Sequence, residues 1–154
     1  MSKPMIRVGT TVEEIRLPGI ILRVLIDGPT ADTSLTMFEM DVLPGGSMPV
    51  PHHHLGFDEV LHGLSGKLRM TVQGQVVDVS SGESLLIQGG EVHAFANPFE
   101  EKAKVLCVLT PGVFGVQYFR EMREMLAAGG PPDPKKAAEV MMRHGLVPAP
   151  TLDK

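Results

Sequence analysis

The strongest constraint on this chain is its punctuation. From Ile20 to Asn97, short apolar or alternating runs are cut at close intervals by turn residues: Asp27-Gly28-Pro29, Pro44-Gly45-Gly46, Gly63 to Gly66, Gln73-Gly74 and Ser81-Gly82. Many short strands punctuated in this way indicate an all-β sandwich or barrel. The clearest hairpin sets Lys67-Leu68-Arg69-Met70-Thr71-Val72 against Gln75-Val76-Val77-Asp78-Val79, with Gln73-Gly74 placing glycine where a positive φ is needed. Leu68, Met70 and Val72 then share one face of their strand.

After Thr110-Pro111-Gly112 the period changes. Val116, Phe119, Met122 and Leu126 recur at helical spacing, and Gly129-Gly130-Pro131-Pro132 stops that helix. A second short helix is expected with Asp133 as N-cap and Pro134 at its first position. Ala137, Val140, Met141 and Met142 lie along it, and Gly145 stands beyond its last turn. With no repeat or low-complexity linker, the chain reads as one domain over residues 1–154. The barrel occupies about 15–111, and a helical extension over about 112–148 is expected to pack on its outside.

Composition narrows the classes of partner. The 154 residues carry a formal net charge of −4, and Lys and Arg are scattered, with no basic stripe of the kind that neutralises nucleic-acid phosphates. Hydrophobic residues at 43% and charged residues at 21% are ordinary for a chain that buries a core. The single cysteine, Cys107, cannot form an internal disulfide, and Met1-Ser2-Lys3-Pro4 is not followed by the unbroken apolar stretch of a signal peptide or membrane helix. A cytoplasmic protein that engages neither nucleic acid nor membrane is therefore expected. The alternation Val105-Leu106-Cys107-Val108-Leu109 puts Cys107 on the face of Val105 and Leu109, as a buried thiol with no chemical role.

One cluster of residues carries chemistry. Histidines at i and i+2 on an extended segment point to the same side, so His52 and His54 can reach one ion while His53 points away. Glu59, on a strand from Asp58 to Leu64, adds a hard oxygen ligand. His93, beyond the Ser84 to Ile87 strand and the Gly89-Gly90 turn, adds a third nitrogen. A mixed set of four protein ligands leaves up to two positions of an octahedron for water, oxygen or substrate.

The same residues carry a family resemblance. Gly46, His52, His54, Glu59 and Gly66 match the first cupin motif in type and spacing, and Gly82, Gly90, His93 and Asn97 resemble the second, with Gln88 where that motif usually has proline. Five fixed positions, each residue type at roughly 2–7% of an average protein, coincide by chance only on the order of once in a million starting points. The chain therefore resembles a small single-domain metal-binding cupin, from roughly Ile20 to Leu109. The resemblance implies a double-stranded β-helix (jelly-roll) barrel with a short C-terminal helical extension, and one divalent transition metal ion (Fe, Mn, Ni, Cu, Co or Zn) on His52, His54, Glu59 and His93. It also implies a small-molecule substrate.

Among such cupins are quercetinase-like dioxygenases, and a dioxygenase or related oxidoreductase is the first expectation, with Glu59 able to leave the metal and act as a base. The alternatives are an isomerase, lyase or polyketide-type cyclase without oxygen chemistry, or a non-enzymatic ligand-binding module. Phe95 and Phe57, two residues from His93 and Glu59, and Met40 and Met70 are candidate pocket walls, core packing being the plainer reading of each. Asn97 suits a turn and His144 a helix C-terminus. His62, three residues after Glu59, faces outward. With Val60 and Leu64 it forms an apolar strip that predicts a homodimer, unless the helical tail covers it.

Overall fold

The computed structural model describes residues 11–127, 129–130 and 132–149. The Met1-Ser2-Lys3-Pro4 start and Pro131 of the expected helix stop lie outside them. Two antiparallel sheets face each other in jelly-roll fashion without hydrogen-bonding into a continuous ring. In chain order the six-stranded sheet is built from β1 (Glu13–Leu17), β2 (Ile20–Ile26), β3 (Thr36–Val42), β5 (Asp58–Ser65), β8 (Ser84–Ile87) and β10 (Ala103–Thr110). Its spatial order is β1-β2-β3-β10-β5-β8. The second sheet contains β4 (Ser47–His54), β6 (Lys67–Val72), β7 (Gln75–Ser80), β9 (His93–Ala96) and β11 (Leu146–Pro148), in the order β11-β4-β9-β6-β7. A single turn of helix, α1 (Gly28–Ala31), links β2 to β3.

Period-2 alternation makes the core. Along β10, Ala103, Val105, Cys107 and Leu109 are buried while Lys104, Leu106 and Val108 face outward, so Cys107 sits in the interior as expected. Leu22, Val24, Phe38, Met40, Leu61, Leu68, Met70 and Ile87 fill the space between the sheets. The β6–β7 hairpin turns at Gln73 and Gly74, which both have positive φ. The motif glycines answer to crowding. A Cβ on Gly46 would stand 2.5 Å from the Gly19 carbonyl oxygen, and one on Gly66 would stand 2.3 Å from that of Lys102. Asn97 satisfies backbone at the same end of the sheets: its amide donates to the carbonyls of Val42 and Glu101, and its oxygen accepts from Phe99 N.

The tail is built into the fold, and in this the structure differs from an appendage on the outside. Helix α2 (Val116–Ala127) is anchored at its first residue, whose N–H donates to the buried carboxylate of Asp27 at 3.0 Å. An acceptor of that charge suits the positive end of a helix. The buried Thr36 hydroxyl, which accepts from Gly28 N at 3.0 Å, donates to the Phe114 carbonyl and holds the preceding loop. Val116, Tyr118, Phe119 and Met122 turn inward, and the rings of Phe38 and Phe119 meet edge-on at 5.1 Å.

Helix α3 (Pro134–Arg143) starts as expected, with Asp133 accepting from Lys135 N at 3.0 Å. The chain then pairs β11 with the histidine strand itself, Leu146 opposite His54 and Pro148 opposite His52. The apolar period of α2 dictates that one face must be buried; it carries no information about which surface receives it. Among the described residues no helix is long and apolar enough to cross a membrane.

Candidate metal centre

Strand β4 carries His52 and His54 on its inner face, and both are buried. Strand β9 lies beside it with His52 and His93 as register partners, so the third imidazole arrives next to the first. The ring centroids of His93 lie 4.6 Å from those of both His52 and His54, and the donor atoms of the three residues lie within 4.8 Å of one another. Glu59 reaches in from β5 of the opposite sheet. Its Oε2 stands 3.7 Å from Nε2 of His54 and 3.7 Å from Nε2 of His93. Of the four residues singled out by spacing, the three histidines cluster together, and Glu59 stands near two of them, His54 and His93. His53, between the two buried histidines of β4, is only partly buried and is not in the cluster, and His62 lies on the outer face of β5, where Nδ1 meets the Ser84 hydroxyl at 2.7 Å.

Burial sets the charge state of the centre. Loss of solvent, with the nearby His93 adding to it, pushes His52 down to about 4 despite its contact with the Val50 carbonyl. His54 falls to about 2, chiefly by burial and then by its imidazole neighbours. Burial likewise lowers His93, partly offset by the Glu91 carbonyl. All three are therefore neutral near pH 7 and carry the lone pair a metal requires. Burial raises the Glu59 carboxyl to about 7, against the pull of a hydrogen bond from the Cys107 thiol. Cys107 is the diagonal neighbour of Glu59 across the β5–β10 pair, where Glu59 faces Leu109. This contact gives the thiol a neighbour in the site that the sequence reading did not assign to it.

The residues fit a transition metal. Nδ1 of His52 lies 3.1 Å from the Val50 carbonyl, and Nδ1 of His93 lies 2.9 Å from that of Glu91. Both rings are held as the Nδ1–H tautomer with Nε2 free, the support that metal-binding histidines ordinarily have. His54 Nδ1 is buried with no partner among the described residues. Three neutral imidazoles, with a carboxylate beside two of them, are donor types that suit a divalent transition ion.

A cavity of about 60 Å³ opens beside the cluster, and Met40, Met70 and Phe95 line it. Phe57 does not. It precedes β5 in an irregular turn, so strand alternation does not reach it, and its ring stacks behind His54 at a centroid distance of 4.4 Å. The rest of the wall includes residues the sequence reading did not place there: Phe114, Tyr118, Phe119 and Leu146, all from the tail. Of these only Phe119 stood on the apolar stripe, and only as packing. Nothing in the local sequence signals that the tail turns across the interior. His144, at the end of α3, hydrogen-bonds Glu121 of α2 through Nε2.

Comparison with known proteins agrees with this geometry. A family model described as a cupin domain matches residues 38–109. Among solved structures, the polyketide cyclase RemF from Streptomyces resistomycificus is similar over 73% of this chain and 80% of that one, at 27% identity and a TM-score of 0.55. KdgF from a Halomonas species is similar over 68% of this chain and 94% of that one, at 16% identity and a TM-score of 0.58. A cupin-superfamily sugar phosphate isomerase from Silicibacter pomeroyi is similar at 21% identity and a TM-score of 0.54; the match covers 60% of this chain and spans 60% of the isomerase's length. The last two likenesses concern the fold alone. Comparison with curated proteins found no match. The two antiparallel sheets in a jelly roll and the buried histidine triad agree with the match of residues 38–109 to a cupin domain.

Proposed function

We propose that this chain is a metal-dependent cupin enzyme that moves a proton on a small carbonyl or enol substrate without using oxygen, as an isomerase, lyase or polyketide-type cyclase does. The observation that carries the reading is the joint placement of three neutral imidazoles and the Glu59 carboxyl at one wall of an interior cavity. In the proposal His52, His54, Glu59 and His93 hold one divalent transition ion. When bound, such an ion polarises a substrate oxygen. Glu59, on leaving the ion, would accept the proton on its carboxylate and return it. Neutral imidazoles would leave the ion's positive charge uncancelled, which favours an anionic enolate, and the apolar walls exclude water from it. Likeness to a polyketide cyclase at 27% identity supports this class over the others. The free buried Cys107 suits a reducing, cytoplasmic setting.

The dioxygenase expectation stands as the second reading, favoured by the donor set, which leaves open positions that iron, nickel or copper uses in oxygen chemistry. One experiment separates the two. Metal-analysed protein is incubated with small diketones, flavonols and sugar phosphates, in air and under anaerobic conditions. Turnover that survives oxygen removal is the expected result. Turnover that stops without oxygen, with stoichiometric uptake in air, identifies a dioxygenase. Binding without turnover in either atmosphere identifies a ligand-binding module.

A further inference from the structure

The cavity wall is apolar except at two places. One is the histidine–glutamate cluster; the other is Tyr118, and among the described residues no lysine, arginine, serine or asparagine lines the cavity. Tyr118 is only 2% exposed. Its ring is fixed by Phe114 at 5.2 Å, Phe119 at 5.4 Å and His144 at 5.6 Å, on a helix whose first N–H is held by Asp27. Buried tyrosine hydroxyls ordinarily find a partner, and leaving one unpaired costs about 1–3 kcal/mol. Among the described residues none hydrogen-bonds this hydroxyl, and burial alone accounts for the upward displacement of its ionisation, so it remains a neutral phenol.

We infer that the Tyr118 hydroxyl binds and orients the substrate, and that the substrate is a largely apolar compound with oxygens at two ends: one facing the histidine–glutamate cluster, the other, uncharged, hydrogen-bonded to Tyr118. The inference rests on the reading of that cluster as the reactive end of the cavity. An anionic group at the Tyr118 end is excluded, because a buried anion needs a cation or several donors and that end of the wall offers one hydroxyl. At about 60 Å³ the cavity holds only a few waters as it stands. A one-ring ligand is larger than that, so its binding requires the tail side chains that close the wall to give way, which brings the ligand against Tyr118.

Equilibrium binding to the full-length, metal-analysed chain tests this, with 2′-hydroxyacetophenone, a one-ring phenol–ketone, as the probe and fructose 6-phosphate as the charged comparator. The wild type is expected to bind the phenol–ketone and not the sugar phosphate. Tyr118→Phe keeps the ring, and with it the metal content and melting temperature, but should bind the probe about tenfold more weakly, the loss of one buried hydrogen bond. Equal binding by wild type and Tyr118→Phe overturns the role of the hydroxyl. Failure of the wild type to bind the probe, or binding of fructose 6-phosphate, overturns the substrate class. Because binding is read without turnover, a chain that binds as expected but catalyses nothing contradicts the enzymatic reading and leaves this one supported.

Discussion

Oε2 of Glu59 lies 3.7 Å from Nε2 of His93, although the two residues belong to different sheets. The contact spans the interior: β5 supplies the carboxylate from one wall, while β4 and β9 supply the imidazoles from the other. An ion held there would staple the two sheets together, so metal content and stability should change together.

Removing one inward ligand should therefore empty the site, and removing an outward histidine should not. His52→Ala, His54→Ala and His93→Ala are expected to lower metal content at least about tenfold and to lower the melting temperature of protein grown with added metal. His53→Ala and His62→Ala should retain both. Elemental analysis of tag-free protein decides it, and loss of metal in His53→Ala with retention in His52→Ala would place the strand register one residue off.

The metal-free chain should show a stability maximum near pH 7, because its buried groups oppose one another. His52 and His54 have native values of about 4 and about 2, below the ordinary 6.5; their stabilising contribution is present above 6.5 and is lost as pH falls below it. Glu59 has a native value of about 7, above the ordinary 4.5, so its contribution is present below 4.5 and is lost as pH rises through 7. Between those ordinary values the histidines outnumber the carboxyl, and stability should rise with pH; near pH 7 the fading histidine contribution and the loss from Glu59 balance, and above it stability should level off or fall slightly. Thermal unfolding of chelator-treated protein from pH 4.5 to 8 checks the curve, and a melting temperature that climbs steadily through pH 8 contradicts it.

A third expectation concerns the tie between the helices. Glu121 of α2 accepts from Arg143 at 2.8 Å and from His144, beyond the end of α3. Partial burial works to raise its carboxyl, but the hydrogen bonds from Arg143 and His144 outweigh that and hold it below the usual range. Its contribution is thus present above about 4.5 and lost as pH falls below. Glu121→Gln should cost about 1 kcal/mol at pH 7 and progressively less below pH 4.5, Arg143 being largely exposed. Denaturant unfolding at both pH values measures it, and an equal cost at each would show that the charge is irrelevant.

Legibility in the sequence followed locality. The fixed spacing of His52, His54, Glu59 and His93 is written on strands whose alternation decides which side chains face inward, so the cluster could be read without knowing the topology. Phe57 was misplaced because alternation was carried one residue beyond the start of β5 into a turn. Tyr118 and Leu146 were missed for a different reason. Their place on the cavity wall depends on where α2 docks and on β11 pairing with β4, both contacts between residues far apart in the chain. A three-residue strand such as Leu146–Pro148 is too short to show a period.

The last prediction is assembly. The tail buries Val116, Phe119 and Met122 elsewhere, so it does not cover the outer strip around Val60, and that alternative falls. Strand register instead extends the strip into a row across the outer face of the six-stranded sheet: Leu86 beside Val60, Val60 beside Val108, and Val108 beside Met37. Leu86 is 56% exposed, Val60 37% and Leu64 39%. A row of apolar side chains spanning four strands matches a second copy of itself across a two-fold axis, since such an interface uses the same patch on both chains. Light scattering at micromolar concentration should accordingly give about twice the 16.6 kDa chain mass. Val60→Glu combined with Leu86→Glu, which leaves every core and cavity residue in place, should return the protein to one chain mass with its metal content unchanged. A wild type already monomeric at that concentration would rule the dimer out, and a dimer unaffected by the double substitution would move the interface to another face.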